Sequence, residues 1–149
     1  MPSCTFFGHR DCTEAIQPAL QDAIHHMISH QGVNHFYVGH QGRFDQMAFS
    51  ALQALEHSFP WIRYEIVLAY LPQKETWREE SWLAHTMLPD GIEQVPKRFA
   101  IVYRNNWLLE HADHIIAAID HPWGGAAQFV RKAERMGKQV LHLIPSARP

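Results

Sequence analysis

Residues 112–132, ADHIIAAIDHPWGGAAQFVRK, decide the fold. An apolar run over 114–119 gives way at once to Asp120, Pro122, Gly124 and Gly125, and then to an Ala-rich stretch with helical spacing. That succession predicts a buried strand, a tight loop and a helix. Junctions of this kind are where parallel sheets take ligands. Two adjacent glycines let the backbone approach a bound group, and the first N–H groups of the helix, at its positive dipole end, favour a phosphate or carboxylate. By itself a Gly-Gly pair only permits a sharp turn, so the reading depends on what the other loops supply.

Outward from this junction the alternation recurs. Residues 3–7 form a short apolar strand ending in Gly8-His9-Arg10. Asp11 or Thr13 then caps a helix carrying Ile16, Leu20, Ile24 and Met27, which Gly32 closes. Residues 33–38 give a second strand that ends in Gly39-His40-Gln41-Gly42-Arg43-Phe44-Asp45, followed by an amphipathic helix through Met47, Leu52 and Leu55. A third strand covers 62–70, and its segment 66–69 is apolar enough for burial on both faces. A helix over 98–111, a strand over 113–119, a helix over 124–136, a stop at Gly137 and a last strand over 139–144 complete the pattern. The fold class this predicts is α/β: a single Rossmann-like three-layer α/β/α domain around a five-stranded parallel sheet, strand order 3-2-1-4-5.

The connection over 71–96 breaks the rhythm. It carries Pro72, Pro89, Asp90-Gly91 and Pro96, with Trp77 and Trp82 between them and no clear strand. Its length reads as a lid, a binding loop or an interface element, with a short helix around 76–85. The tryptophans either cover a ligand or pack on the sheet edge.

Composition narrows the function. The chain has 149 residues, 46% of them hydrophobic, and a formal charge of −2, as expected of one soluble globular domain. No apolar run reaches the roughly 18 residues of a membrane span, and the first residues lack the basic flank and apolar stretch of a signal peptide, so a cytoplasmic location is expected. Cys4 and Cys12 are too few for a disulfide framework and are expected to be reduced. Near-neutral charge argues against a strongly basic nucleic-acid surface. Most of the twelve histidines read as solvated side chains.

In a sheet of the predicted order, the loops Gly8-His9-Arg10, 39–45 and 120–128 meet at the carboxyl ends of strands 1 and 4. Arg10 and Arg43 could clamp phosphate oxygens there, with the Gly124 and Gly125 amides completing the cradle. Asp45, in the first turn of a helix, is favoured there by the dipole alone; it could also hold a ribose hydroxyl or orient Arg43. Neither G-x-G-x-x-G nor a phosphate loop ending in Gly-Lys-Ser/Thr occurs, which removes a standard dinucleotide site and a nucleotide triphosphatase. His9, His40 and His121 all follow strands and three imidazoles could bind zinc, but they lie on separate loops without a supporting motif, so neither a metal nor a cofactor is expected.

Phe7-Gly8-His9-Arg10, the Gly39-x-x-Gly42-x-x-Asp45 run, Arg104-Asn105 in the helix before strand 4, and Gly124-Gly125 together resemble the SLOG superfamily. This group of Rossmann-like domains includes the DNA-processing protein DprA (Smf) and the Lonely Guy phosphoribohydrolases, and the likeness is nearest to the YpsA-like bacterial branch over almost the whole chain. The resemblance implies a nucleotide, a nucleotide-derived ligand or nucleic acid at the crevice. In the Lonely Guy enzymes an arginine nine residues before the aspartate that starts strand 4 matches Arg104 and Asp113. Their Gly-Gly-x-Gly-Thr-x-x-Glu motif here reads Gly124-Gly125-Ala126-Ala127-Gln128-Phe129-Val130-Arg131, so Arg131 stands where their catalytic glutamate should be. Cleavage of an N-glycosidic bond through an oxocarbenium-like state needs a nearby negative charge, and this substitution argues against it.

The candidate ligand-contacting set is Gly8, His9, Arg10, Gly39, Gly42, Arg43, Asp45, Arg104, Asn105, Trp123, Gly124, Gly125 and Gln128. The expected role is binding or sensing of a nucleotide or phosphorylated nucleoside derivative. The alternatives are a hydrolase or glycosidase on the same ligand, using Asp45 or Glu110, and a DNA-processing type of interaction protein docking through 71–96. Stacking for single-stranded DNA would come from Trp77, Trp82, Trp107 and Trp123, although Trp107 has the helical spacing of a core residue. Self-association through an apolar helix face is also open.

Overall fold

A computed structural model describes residues 2–40, 42–70 and 85–143. The expected short helix around 76–85, with Trp77 and Trp82, falls almost entirely outside them, as does Ile144 at the end of the last expected strand. The chain alternates strand and helix: β1 (Ser3–Gly8), α1 (Gln17–His30), β2 (His35–Val38), α2 (Arg43–Glu56), β3 (Arg63–Val67), β4 (Thr86–Met87), α3 (Lys97–His111), β5 (His114–Ala118), α4 (Gly125–Arg135) and β6 (Gln139–His142).

The strands form one parallel sheet in the order β4-β3-β2-β1-β5-β6. The order expected for five strands is present, and a sixth is added at the edge. This corrects the reading of 71–96 as strandless. Thr86 and Met87 pair with Ile66 and Val67 of β3, and two residues are too few to produce a periodic signal.

Why these segments are strands follows from burial. All five residues of β5 are buried, as are the first five of β1, because helices cover both faces of the sheet. Neighbouring residues of one strand point opposite ways. Phe6 and Ile116 join Leu20, Ile24, Phe44 and Leu52 of α1 and α2 in one apolar cluster. Phe7 and Ile115 join Leu108 and Leu109 of α3 and Val130 and Ala133 of α4 in another. The result is a three-layer α/β/α arrangement with α1 and α2 on one face and α3 and α4 on the other.

The pairing of β1 positions the site. After β1 the chain moves outward through β2, β3 and β4, then returns through α3 to place β5 on the other side of β1. Gly8 pairs with Ala118 at the last rung of that ladder. Consequently the loops after β1 and β5 leave the sheet side by side. The β2–α2 loop joins them, since the Arg43 backbone N–H donates to the Arg10 carbonyl at 3.1 Å.

Ile115 and Ile116 are both fully buried, on opposite faces. Ile115→Ala and Ile116→Ala should therefore each cost about 2–5 kcal/mol in denaturant unfolding. A near-neutral result for either one would mean that its face of the sheet is uncovered.

Candidate functional site

A cavity of about 440 Å³ opens at the carboxyl ends of β1 and β5. Gly8, His9 and Arg10 line it from the end of β1, Gly39 and Gly42 from the loop after β2, and Asp45 from the first turn of α2. Arg104 and Asn105 reach it from α3, and Trp123, Gly124 and Gly125 from the loop that opens α4. Eleven of the thirteen sequence candidates thus share one space.

The other two do not. Arg43 lies in a separate groove with Glu14, Gln17, Gln46, Met47 and Ser50, and its Nη1 donates to Glu14 Oε1 at 3.0 Å. The expected clamp of Arg10 with Arg43 is corrected accordingly, and so is the notion that Asp45 orients Arg43. Gln128 sits about a turn into α4, in a further groove with Asn106, Arg131, Lys132 and Arg135. One turn is about 5.4 Å along the axis, which carries Gln128 beyond the residues that border the cavity.

The cation that does face Asp45 is Arg104. A Cβ built on Gly39 would meet Asp45 Oδ2 at 2.8 Å and Arg104 Nη1 at 3.2 Å, so only a residue without a side chain lets the β2 end pass between them. Arg104 is 2% exposed. Its Nη1 donates to the Val67 carbonyl at 2.9 Å and its Nε to Asn105 Oδ1 at 2.9 Å. Burial pulls its pKa down, while Asp45 and then Tyr70 act to keep it charged. His40 lies within the same field: burial lowers its pKa, Asp45 opposes that and Arg104 adds to it.

At the opposite wall three rings stack in sequence. His9 and His121 lie face to face with centroids 3.5 Å apart, and His121 stacks on Trp123 at 4.0 Å. Trp123 is 66% exposed, leaving most of its surface open to a planar partner. The pKa of His9 is lowered by its burial and by His121, against the opposing influence of Asp120, Asp11 and a backbone hydrogen bond with His121. The histidines weighed as zinc ligands are therefore divided, with His40 beside Asp45 and Arg104, and His9 beside His121 and Asp120.

Sequence reading missed the apolar lining. Phe6, Phe7, Phe44, Ile101 and Leu108 all border the cavity. Ile101 and Leu108 stand three before and four after Arg104 on α3, so helical spacing from a suspected ligand residue would have found them. Asp11 and His121 line it too. Trp107, in contrast, packs on the core beside Tyr37 and His111. Glu110, weighed as a catalytic carboxylate, is exposed and does not border the cavity. Arg131 donates from Nη1 to the Pro122 carbonyl at 2.8 Å, tying α4 to the loop that carries Trp123.

Fold and crevice together define a Rossmann-like α/β protein with a glycine-lined pocket at the point where strand order reverses. The chain belongs to the YpsA family, described as the YspA SLOG family, which matches residues 4–142. Among solved structures it is similar to DNA processing protein A (DprA) from Streptococcus pneumoniae, with a TM-score of 0.72 at 17% identity over 99% of this chain and 51% of that one. The chain spans about half the length of that protein, and the likeness is one of fold. No curated protein matches the chain. Among the described residues, no helix is long and apolar enough to cross a membrane.

His40 carries a pH signature. Its folded-state pKa lies below the ordinary 6.5, so on acidification the unfolded chain takes up this proton first. The stability present above that value is lost as pH falls toward the folded-state pKa. In thermal melts between about pH 7 and 5, His40→Gln should show a shallower loss than the unmodified protein. Part of the slope will remain, because the His9 pKa is lowered as well. An unchanged slope would place His40 in solvent.

Proposed function

We propose that the chain binds or senses a nucleotide or a phosphorylated nucleoside derivative at the carboxyl edge of its parallel sheet. One observation carries the reading: Arg10, Arg104 and the start of α4 at Gly124-Gly125 border a single cavity whose other wall ends in the exposed ring of Trp123. Helix N–H groups and guanidinium groups suit phosphate oxygens, and an aromatic face suits a base. Gly124 has φ +99°, a left-handed conformation that L side chains rarely adopt, and this sets the turn from which α4 starts. The apolar border of Phe6, Ile101 and Leu108 fits the flat, weakly polar part of such a ligand.

Binding without turnover is favoured over hydrolysis by Arg131. At the position of the phosphoribohydrolase glutamate it places a cation that is engaged with the Pro122 carbonyl. A second reading, single-stranded nucleic acid across the same mouth, is supported by exposed Trp123 and by Arg131, Lys132 and Arg135 along α4. Its test is whether an oligonucleotide competes with mononucleotides for the site.

Calorimetry against a panel of nucleotides and phosphorylated nucleosides tests the first reading. Arg10→Ala should remain folded and lose about 30-fold in affinity, the size of one charge-assisted hydrogen bond of about 2 kcal/mol. Arg43→Ala, altered in a different groove, should bind as the unmodified chain does. Equal affinity in the Arg10 variant, or a loss only in the Arg43 variant, would overturn the assignment. Chromatography of the same mixtures should show neither released base nor released phosphate.

A further inference from the structure

The rim of the crevice holds a group of donor atoms of which only His9 belongs to the expected ligand-contacting set. His9 is the first residue beyond β1, and Asp120 and His121 are the second and third beyond β5. The pairing of Gly8 with Ala118, and the hydrogen bond from the His9 backbone N–H to the Ala118 carbonyl at 3.4 Å, bring these loop ends together. Asp120 Oδ1 then lies 3.4 Å from His9 Nε2 and 3.6 Å from His121 Nε2. One donor atom from each of the three residues falls within 4.8 Å of the others.

The cluster is more than a chance meeting of charges at a surface. The His9 side chain is only 8% exposed. Neither its Nε2 nor His121 Nδ1 has a hydrogen-bond partner among the described residues, although both atoms are buried. Buried polar nitrogens are normally satisfied, so two left open in one ring pair, with His9 Nε2 beside the Asp120 carboxylate, ask for an occupant. Asp11 and Cys12 line a second cavity, next to the crevice and also of about 440 Å³, together with His9, Asp120 and His121, which leaves oxygen and sulfur donors near a further coordination position.

We propose that His9, Asp120 and His121 form a site for a divalent transition-metal ion of the zinc type. Two imidazoles with one carboxylate is a donor set that suits zinc, copper or nickel, whereas magnesium and calcium prefer all-oxygen surroundings. Imidazole lone pairs lie in the ring plane, and the two rings are now nearly parallel, 16° apart. Loading the site therefore turns one ring out of the stack. His121 is the one to turn, because it is 24% exposed while His9 is held against the end of β1, and in turning it leaves Trp123 as well as His9. This site rests on the geometry of the β1 and β5 ends and stands whether or not a nucleotide binds.

The experiment uses the full chain after chelator treatment and zinc or cobalt(II) ions alone, followed by calorimetry and visible absorption, with magnesium as the comparison. One equivalent of zinc should bind, magnesium should not compete, and cobalt should give the intense visible bands of a low-coordinate site. His121→Ala and Asp120→Asn, both changed on the loop, should keep the far-ultraviolet spectrum of the fold and lose at least about tenfold in zinc affinity. His142→Ala, which removes the exposed His142–Glu134 pair at 3.2 Å, should bind zinc unchanged. Absence of saturable zinc binding would overturn the proposal, as would equal affinity in the unmodified chain and both loop variants.

Discussion

The rest of the structure depends on the hydrogen-bonded pairing of β1 with β5. Sequence neighbours would have placed β1 between β2 and open solvent, but the return through α3 puts a strand more than a hundred residues away against its free edge. The ladder runs from Cys4 opposite His114 to Gly8 opposite Ala118 and satisfies both edges of a strand that is buried on both faces. The residues that follow β1 and β5 in the crevice, His9 and Arg10 on one side and Trp123 to Gly125 on the other, inherit their positions from that ladder. A shift of one residue would reverse which side chains face each helical layer and draw the His9 loop away from Asp120.

Arg104 shows how closely framework and site are joined. A guanidinium that is 2% exposed carries a large desolvation cost, which hydrogen bonds and a nearby carboxylate must offset. It has both. Its bond to the Val67 carbonyl holds α3 over the end of β3, and Asp45 supplies the opposing charge from the other face of the sheet edge. Since Gly39 threads between the two charges, the β2 end, α2 and α3 are locked to one another at the floor of the cavity. A ligand of the proposed kind would meet a cation already fixed in place, and fixed donors lose little entropy on binding.

How much of this was legible in the sequence depended on the length scale of the signal. The strand order could be read because burial on both faces writes continuous apolar runs, as in His114–Ala118, and because each run is followed by helical spacing. β4 was invisible because a two-residue strand owes its existence to the edge of β3 and not to its own residues. At the site, loops could be assigned to the crevice but side-chain direction could not. Arg43 and Asp45 are two residues apart at the start of α2, roughly 200° around the helix, so when Asp45 faces the cavity Arg43 faces Glu14. Nothing in the residue types decides which of the two points inward. His9 and His121 could be weighed together with His40, but that Asp120 and not His40 joins them was hidden for a related reason, since it follows from the register of two distant strands.

The substitution at Arg131 bears on what the crevice is built to do. Arg131 lies outside the cavity, in the groove that also holds Gln128, Lys132 and Arg135. The guanidinium reaches back along α4 and fastens the Pro122 carbonyl, stiffening the short loop from which Trp123 and His121 project. Its effect on the crevice is therefore carried by the loop and not by a charge of its own at the cavity wall. Arg131 anchors, through the Pro122 carbonyl, the loop from which His121 and Trp123 stack beside His9.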